Sequence, residues 1–510
     1  GTTDWYKVGA DQLVKKQNKN GSWGNAGDEG HNPRGVPDTV FSILFLTRGR
    51  APVVMNKLEY EISGADPKKN PAANDPWNQR PRDVANFTNW AAKKSEQFLN
   101  WQVVNLKVPS AELHDAPILY LSGSLPLKFT EEEESKLRQF VEDGGIILGN
   151  ADCGREAFSK SFIDLGNKLF PKYEFRDIPK THVLFEQVYK PNRWKSVPKL
   201  LGKSNEAREL MILIPDSDLG RTWQTRAEGT RAEAFELMFN VFMYAIDKAG
   251  LRSRGDSYVV LPDAKKKPTH NVTVARVMAG DNADPEPGGW RRLAAVLHNT
   301  AGLGVATEQV KLGDGSLDPK KHKLAHWTGT TKLALSDAAR SDLKKYVEGG
   351  GTLLVDAAGG SGQFADAVEA ELAKTFGGNA KELGVVLPPD HPLYAAGKVE
   401  KVGYRPYAQA RISGKLSAPH LRAILVEGRP AVIYSREDLT VGLVGQNVDG
   451  IIGYTPESAT EVAKAVVLFA AGKAPAGPVA KADEGEKKPA EPAKPTPGSP
   501  TKPKPAPKKK

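Results

Sequence analysis

The sequence has one cysteine, Cys153, and five methionines in 510 residues. A single thiol excludes a disulfide framework and a cysteine-rich zinc module. No histidine pair with the spacing of a helical metal site such as H-E-x-x-H occurs. Apolar runs such as Val40 to Leu46 fall far short of the roughly 20 residues needed to span a bilayer. With 39% hydrophobic and 26% charged residues and a mean hydropathy of −0.45, neither a membrane protein nor a wholly disordered chain is expected. The length exceeds the ~100–200 residues of a usual domain, so two sizeable cores are expected.

The net charge is +10, from 71 basic and 61 acidic residues. Residues 474–510 hold nine lysines and four acids, so they supply +5 of it, together with ten prolines and no aromatic residue. Such a segment cannot bury enough apolar surface to offset the entropy of ordering. A solvated tail over 473–510 is expected, suited at most to weak polyanion contact. The rest of the chain carries only about half the excess charge, too little to mark a nucleic-acid binder.

An internal repeat dominates the sequence. Phe140-Val141-Glu142-Asp143-Gly144-Gly145-Ile146-Ile147-Leu148 matches Tyr346-Val347-Glu348-Gly349-Gly350-Gly351-Thr352-Leu353-Leu354 at a constant offset, which also pairs Gly123 with Gly329, Leu137 with Leu343, Gly154 with Gly360 and Phe158 with Phe364. Further on, His182-Val183-Leu184-Phe185 matches His391-Pro392-Leu393-Tyr394, and Ile212–Leu219 matches Val432–Leu439. Agreement over this span predicts two copies of one domain. Each copy alternates apolar strands with amphipathic helices. In copy one, Ala116–Leu121, Ile146–Leu148 and Leu210–Ile214 read as strands buried on both faces, and Thr130 opens a capping box completed by Glu133. In copy two, Lys323–Trp327, Thr352–Val355 and Ala431–Tyr434 read the same way. This order predicts parallel α/β sheets covered on both faces. The boundaries read as 1–50 helical, 51–250 first α/β domain, 251–270 linker, 271–472 second α/β domain and 473–510 tail.

The first fifty residues read as helix, turn, helix, with Asp38 as the expected N-cap of the second. The stretch Gln17…Gly21-Ser22-Trp23-Gly24 resembles the Gln–Trp repeat of the terpenoid cyclase and prenyltransferase toroid, over about a tenth of the chain and without the acidic motif of the cyclases. Two such helices enclose no core alone. The chain opens at Gly1 with no charged-then-apolar leader, so a mature form or a fragment is expected.

The paired Gly-Gly hinges, the two His tetrads and the segments Asp218-Leu219-Gly220…Trp223 and Asp438-Leu439-Thr440 resemble the bacterial family called domain of unknown function 4159, in tandem. That resemblance implies the fold of class I glutamine amidotransferases, a flavodoxin-like three-layer sandwich. It implies no reaction.

Open parallel sheets bind ligands at the carboxyl ends of their strands. In copy one those ends carry Gly123, Asn150, Asp152, Cys153, Asp216 and Asp218, with Trp223 nearby. In copy two they carry Asp356, Gly360 and Asp438. Clustered acids there serve acid–base chemistry or a polar ligand, or else cap the following helices. Catalytic candidates are Asp152, Cys153, Asp216 and Asp218. Ligand-binding candidates are Asn150, Gly123, Trp223, Asp356, Gly360 and Asp438. The surroundings of Cys153 do not match the Gly-x-Cys-x-Gly elbow of the amidotransferases, and their Pro-x-His-x-Glu pattern is absent. The spacing of the loop Ala357–Gly362 fits neither G-x-G-x-x-G nor the P-loop; an anion nest is one reading of it and a tight turn the favoured one. His182 and His391 read as loop residues that hold the fold. Trp77 and Trp194 read as packing residues.

The strand-end sets differ between copies, with Asp152 opposite Ala358 and Asp216 opposite Arg436. A non-catalytic binding or scaffold protein of the cell envelope or exterior is therefore expected, with a protein or envelope polymer as partner and no metal or cofactor. The alternative is a hydrolase or amidotransferase-like enzyme with only the first α/β domain active. A lesser alternative is polyanion binding through the tail. Export to the periplasm or beyond is expected from the resemblance and the tail.

Overall fold

The structure, a computed structural model, describes residues 5–24, 35–62, 68, 74–414 and 416–472. The expected tail lies outside the described residues.

Two helices come first, α1 (Trp5–Lys15) and α2 (Gly35–Gly49). Asp38 sits inside the first turn of α2 rather than at its N-cap, because the helix begins at Gly35. A carboxylate there still complements the helix dipole. The Tyr6 ring stacks on Phe45 at 5.3 Å, and its hydroxyl donates to the Leu46 carbonyl at 2.8 Å. Trp23 is buried, its indole N–H donating to the Leu13 carbonyl at 2.7 Å. The pair leaves Val40, Phe41, Ile43 and Leu44 exposed.

Copy one contains β1 (Val53–Glu59), α3 (Asp83–Ser95), β2 (Asn100–Asn105), α4 (Ser110–Leu113), β3 (Ile118–Gly123), α5 (Glu131–Glu142), β4 (Ile146–Ala151), α6 (Glu156–Leu169), β5 (Phe175–Asp177), β6 (Leu201–Ser204), β7 (Glu209–Ile214), α7 (Leu219–Gln224) and α8 (Ala232–Ala245). Its seven strands lie in the order β2-β1-β3-β4-β7-β6-β5. Copy two contains β8 (His270–Val277), α9 (Pro287–Ala301), β9 (Leu303–Val310), β10 (His322–Gly329), α10 (Asp337–Glu348), β11 (Thr352–Ala357), α11 (Gly362–Phe376), α12 (Pro392–Gly397), α13 (Pro406–Gln409), β12 (Arg422–Val426), β13 (Arg429–Ser435), α14 (Thr440–Val444) and α15 (Pro456–Ala470). Its six strands lie in the order β12-β13-β11-β10-β8-β9. These are two tandem α/β domains.

The inner strands β3, β4, β7 and β11 are buried at every residue, as strands covered on both faces require. Both sheets are mainly parallel, as expected, with antiparallel additions at one edge. β6 and β5 are antiparallel to the strands they join, as is β12. Short hairpins join β6 to β7 and β12 to β13, a longer connection joins β5 to β6, and the apolar pattern of the inner strands announces none of them.

The repeat is local as well as global. Thr130 and Glu133 form the reciprocal capping box of α5, and Ser336 caps α10 at the matching place. Gly144 and Gly350 follow these helices with φ of 105° and 94°, a conformation glycine adopts at little cost. A Cβ on the next residue would lie 2.3 Å from the Phe140 ring in copy one, or 2.4 Å from the Tyr346 ring in copy two. The second glycine thus admits the aromatic that seals each helix onto its sheet. His182 and His391 each accept, through Nδ1, the N–H two residues on, at 3.2 Å.

The two sheets are separate but their copies pack together. Arg208 of copy one is buried against Glu286 of copy two at 2.6 Å and donates to the Val141 carbonyl. Arg291 reaches Asp143 at 2.7 Å. Gln187 donates to the buried Asp449 at 2.6 Å. Val441, Val448 and Ile451 of copy two join the hydrophobic core of copy one. Paired buried charges of this kind are costly to break singly.

Candidate functional site

The strand ends of copy one gather a buried polar centre. Lys57, in the middle of β1, is 1% exposed. Its ammonium donates to Asp83 Oδ1 at 2.7 Å, to the Arg80 carbonyl at 2.7 Å and to Asn78 Oδ1 at 3.2 Å, which uses all three of its donors. Asn150, at the end of β4, accepts the Leu219 N–H at 3.0 Å and donates towards Asp152 and Asp218. Asp218 caps α7 by accepting the Arg221 N–H at 2.9 Å. Its other oxygen accepts the Cys153 N–H at 2.7 Å and the Arg80 guanidinium at 3.0 Å.

Three acceptors stay outside this net. Asp83 Oδ2, the Tyr120 hydroxyl and Asp152 Oδ2 are buried with no formed hydrogen bond among the described residues. Burial, then the charge of the neighbouring Asp83, holds the Tyr120 hydroxyl well above the usual phenol range. Burial, reinforced by the charge of Asp218 and opposed by Arg80, pushes the Asp152 carboxyl up to about 7. Burial likewise raises Asp83 against the pull of Lys57.

Copy two builds the same place from other residues and bonds its carboxylates more fully, while Arg276 Nε stays buried without a hydrogen bond among the described residues. Arg276 stands where Lys57 stands, opposite His326 as Lys57 is opposite Tyr120, and it pairs with Asp284. The Trp290 indole donates to His326 Nδ1 at 2.9 Å, so the ring proton sits on Nε2 and faces Asp356 at 2.6 Å. Asp356 also accepts the N–H groups of Leu439 and Thr440 at 2.9 Å and the Thr440 hydroxyl at 2.9 Å. These bonds and the His326 contact hold its carboxyl below the usual range despite burial. Asp438 accepts the Gly359 and Val441 N–H groups at 2.8 and 2.9 Å. Burial, then the nearby Asp356 charge, raises its carboxyl.

The size exchange explains how one scaffold holds both. Tyr120 faces Gly220, where a Cβ would lie 3.0 Å from the Tyr120 hydroxyl. In copy two the smaller His326 is accompanied by Thr440, at the place of Gly220 in the aligned segment. Large with small is replaced by medium with medium, conserving volume.

The remaining candidates are placed as follows. Cys153 is exposed, with φ of 54°, in the turn where copy two has Gly359 at 67°. Its Sγ accepts from the Arg80 guanidinium at 3.2 Å. The group at its Sγ is a guanidinium, which is not a base. Asp216 is exposed, apart from the buried net. Gly123 packs against the Tyr60 hydroxyl, where a Cβ would lie at 2.4 Å. Trp223 is wholly buried, its indole donating to the Ala234 carbonyl at 3.0 Å, so it is a core residue. Asn150, Asp152 and Asp218 are brought together in copy one, as Asp356 and Asp438 are in copy two. Among the described residues no group of three or more His, Cys, Asp or Glu side chains is arranged to hold a metal ion.

Sequence reasoning missed Lys57, Asp83, Tyr120, His326 and Thr440. A lysine or histidine inside an otherwise apolar strand, as in Met55-Asn56-Lys57-Leu58 or Leu324-Ala325-His326-Trp327, was the available signal, because such groups are buried only when paired. It also missed an open cleft in copy two. Gly360, between β11 and α11, lies on the wall of this space of about 740 Å³, together with Arg411, His420, Arg436 and Glu437.

The sequence profile of the domain of unknown function DUF4159 matches residues 57–246 and again 273–470. No curated protein matches the chain.

Proposed function

The chain belongs to the DUF4159 family in both copies, and from that premise we propose that it is a non-catalytic binding protein with a scaffold built from two amidotransferase-like sandwiches. The observation that carries this reading is the use made of the strand-end carboxylates. Asp218, Asp356 and Asp438 accept backbone N–H groups at the starts of α7 and α14. Groups occupied in this way hold helices in place, and turnover needs a nucleophile or base free to face substrate. The α1–α2 pair is read as the end of a toroid-like helical layer, on its Gln–Trp resemblance. The cell envelope or exterior is the proposed location, on the family resemblance and the Lys/Pro tail, with a protein or envelope polymer as partner.

The test is turnover by the full chain. Ammonia release from glutamine and hydrolysis of nitrophenyl esters are measured for the parent and for Cys153→Ser and Asp152→Asn. The binding reading expects no release that depends on either residue. Release abolished by either substitution would establish the rival reading, an amidotransferase-like hydrolase with only the first copy active. Polyanion binding by the tail is separated by heparin retention with and without residues 474–510.

A further inference from the structure

We propose that the end of α8 is a proton-operated latch between the two copies, shut while the buried Asp247 carboxyl is neutral. The latch goes beyond the binding reading above and needs no ligand.

The closing helices of the two copies end alike and differ in one residue. After α8 the Asp247 N–H donates to the Tyr244 carbonyl at 3.3 Å and the Lys248 N–H to the Met243 carbonyl at 3.1 Å. These are the paired bonds that stop a helix through a left-handed residue. After α15 the Gly472 N–H donates to the Phe469 carbonyl at 3.0 Å, at the matching place. Gly472 has φ of 69°, Asp247 of 55° and Lys248 of 52°. Glycine adopts that backbone at little cost, whereas two successive residues with a Cβ are strained by it. Such strain persists only where the surroundings hold it.

The surroundings here belong to copy two. The last carbonyls of α8, at Tyr244 and Ala245, accept the Asp449 N–H and the Gln446 side-chain amide, both at 2.9 Å. The Lys248 ammonium reaches Asp449 Oδ2 at 2.8 Å. Asp247 is 1% exposed, and its Oδ2 lies 3.8 Å from Arg405 Nη1, beyond hydrogen-bond range. Arg405 gives its Nε and Nη1 donors to the Tyr454 and Val448 carbonyls instead. Asp247 Oδ1, Arg405 Nη2 and Gln187 Oε1 are buried with no hydrogen-bond partner among the described residues. The joint thus draws side chains from both copies and leaves Asp247 poorly bonded.

The charged groups that face Asp247 are Arg405 and Asp449 of copy two and Lys248 beside it. As an anion, Asp247 would stand out of water near a second carboxylate, which Lys248 and Gln187 already hold. Burial, opposed by Arg405 and Lys248 and reinforced by Asp449, pushes the Asp247 carboxyl up to about 7. Exposed to water it would return to about 3.9. The closed joint therefore holds the extra proton, is most stable in acid, and loosens as pH rises from about 4 through about 7. Asp449 and Tyr244 also line a cleft of about 540 Å³ with His182 and Arg176, so a loosened joint widens the space between the copies.

The test is hydrogen exchange read by mass spectrometry on the full chain at pH 5, 6.5 and 8, each rate corrected for the intrinsic pH dependence of amide exchange. Peptides over 443–450 report the joint, and peptides over 352–357 report the inner strand β11 as reference. In the parent, protection at 443–450 relative to the reference is expected to fall at least about tenfold from pH 5 to pH 8. Asp247→Asn is neutral and suits a left-handed backbone, so its protection is expected to change less than about twofold over the same range. Asp247→Gly restores the helix stop of α15, relieves the strain, and is expected to show the same flat profile even if the Asn variant folds poorly. Asp152→Asn is expected to keep the response of the parent, which separates the joint from the strand-end acids. Protection at the joint that does not change with pH in the parent would overturn the latch. So would a response that survives in both Asp247 variants, or one that disappears in Asp152→Asn.

Discussion

Copy one and copy two place polar groups at the same buried strand ends and treat them differently. In copy two, Trp290, His326, Asp356 and Thr440 form an unbroken chain of hydrogen bonds. In copy one, Lys57 and Asn150 are saturated, but Asp83, Tyr120 and Asp152 each keep an unbonded atom. A shared fold therefore does not carry a shared site. A duplicated scaffold tolerates different polar fillings when volume is conserved and the helix starts stay capped.

The sharpest way to break the comparison is to remove the residue at the same sheet position in each copy. His326→Ala leaves Asp356 buried without its ring partner and strands the Trp290 indole. It is expected to cost about 3–5 kcal/mol in urea unfolding. Tyr120→Phe removes a hydroxyl that makes no formed bond, so its cost is expected to stay below about 1 kcal/mol. Thr440→Val keeps the shape but removes the hydroxyl between Thr328 and Asp356, and about 1–3 kcal/mol should be lost in the same assay.

The pH dependence sharpens the contrast from the other side. The Asp152 carboxyl lies at about 7 in the folded chain, against about 3.9 for an unfolded aspartate. Between roughly pH 4 and 7 the folded state holds more protons, so this group's contribution to stability falls as pH rises through that window. Asp152→Asn stays neutral throughout. By scanning calorimetry it should melt higher than the parent at pH 8, by several degrees, with the difference shrinking as pH falls and gone by about pH 4. A smaller effect is expected of Cys153→Gly. The left-handed backbone there suits glycine, as at Gly359 in copy two, so a gain of about 0.5–1 kcal/mol is expected.

Much of the architecture was legible because it is periodic or repeated. The offset between Phe140–Leu148 and Tyr346–Leu354 marked two copies, and the apolar inner strands marked sheets covered on both faces. The antiparallel strands β5, β6 and β12 were not legible, since short edge strands leave little pattern. The candidate acids lie where strand ends were expected, because carboxyl ends of strands follow from sequence order alone. Their use was not legible. Whether Asp218 faces a ligand or caps α7 depends on φ at Asp218 and on the approach of Cys153, and both are properties of the folded chain. Lys57 and His326 escaped notice because their partners, Asp83 and Asp356, lie 26 and 30 residues away.

The claim that the strand-end carboxylates hold helices rather than act on substrate is tested most directly by the unfolding free energies of Asp218→Ala and Asp438→Ala. Asp218→Ala strips the acceptor from two part-buried backbone N–H groups and Asp438→Ala from three, so both variants should lose stability together, by about 2 kcal/mol or more. Asp218→Ala folding as stably as the parent while Asp438→Ala loses stability would contradict the account, because a carboxylate kept at the cost of stability is one kept for chemistry.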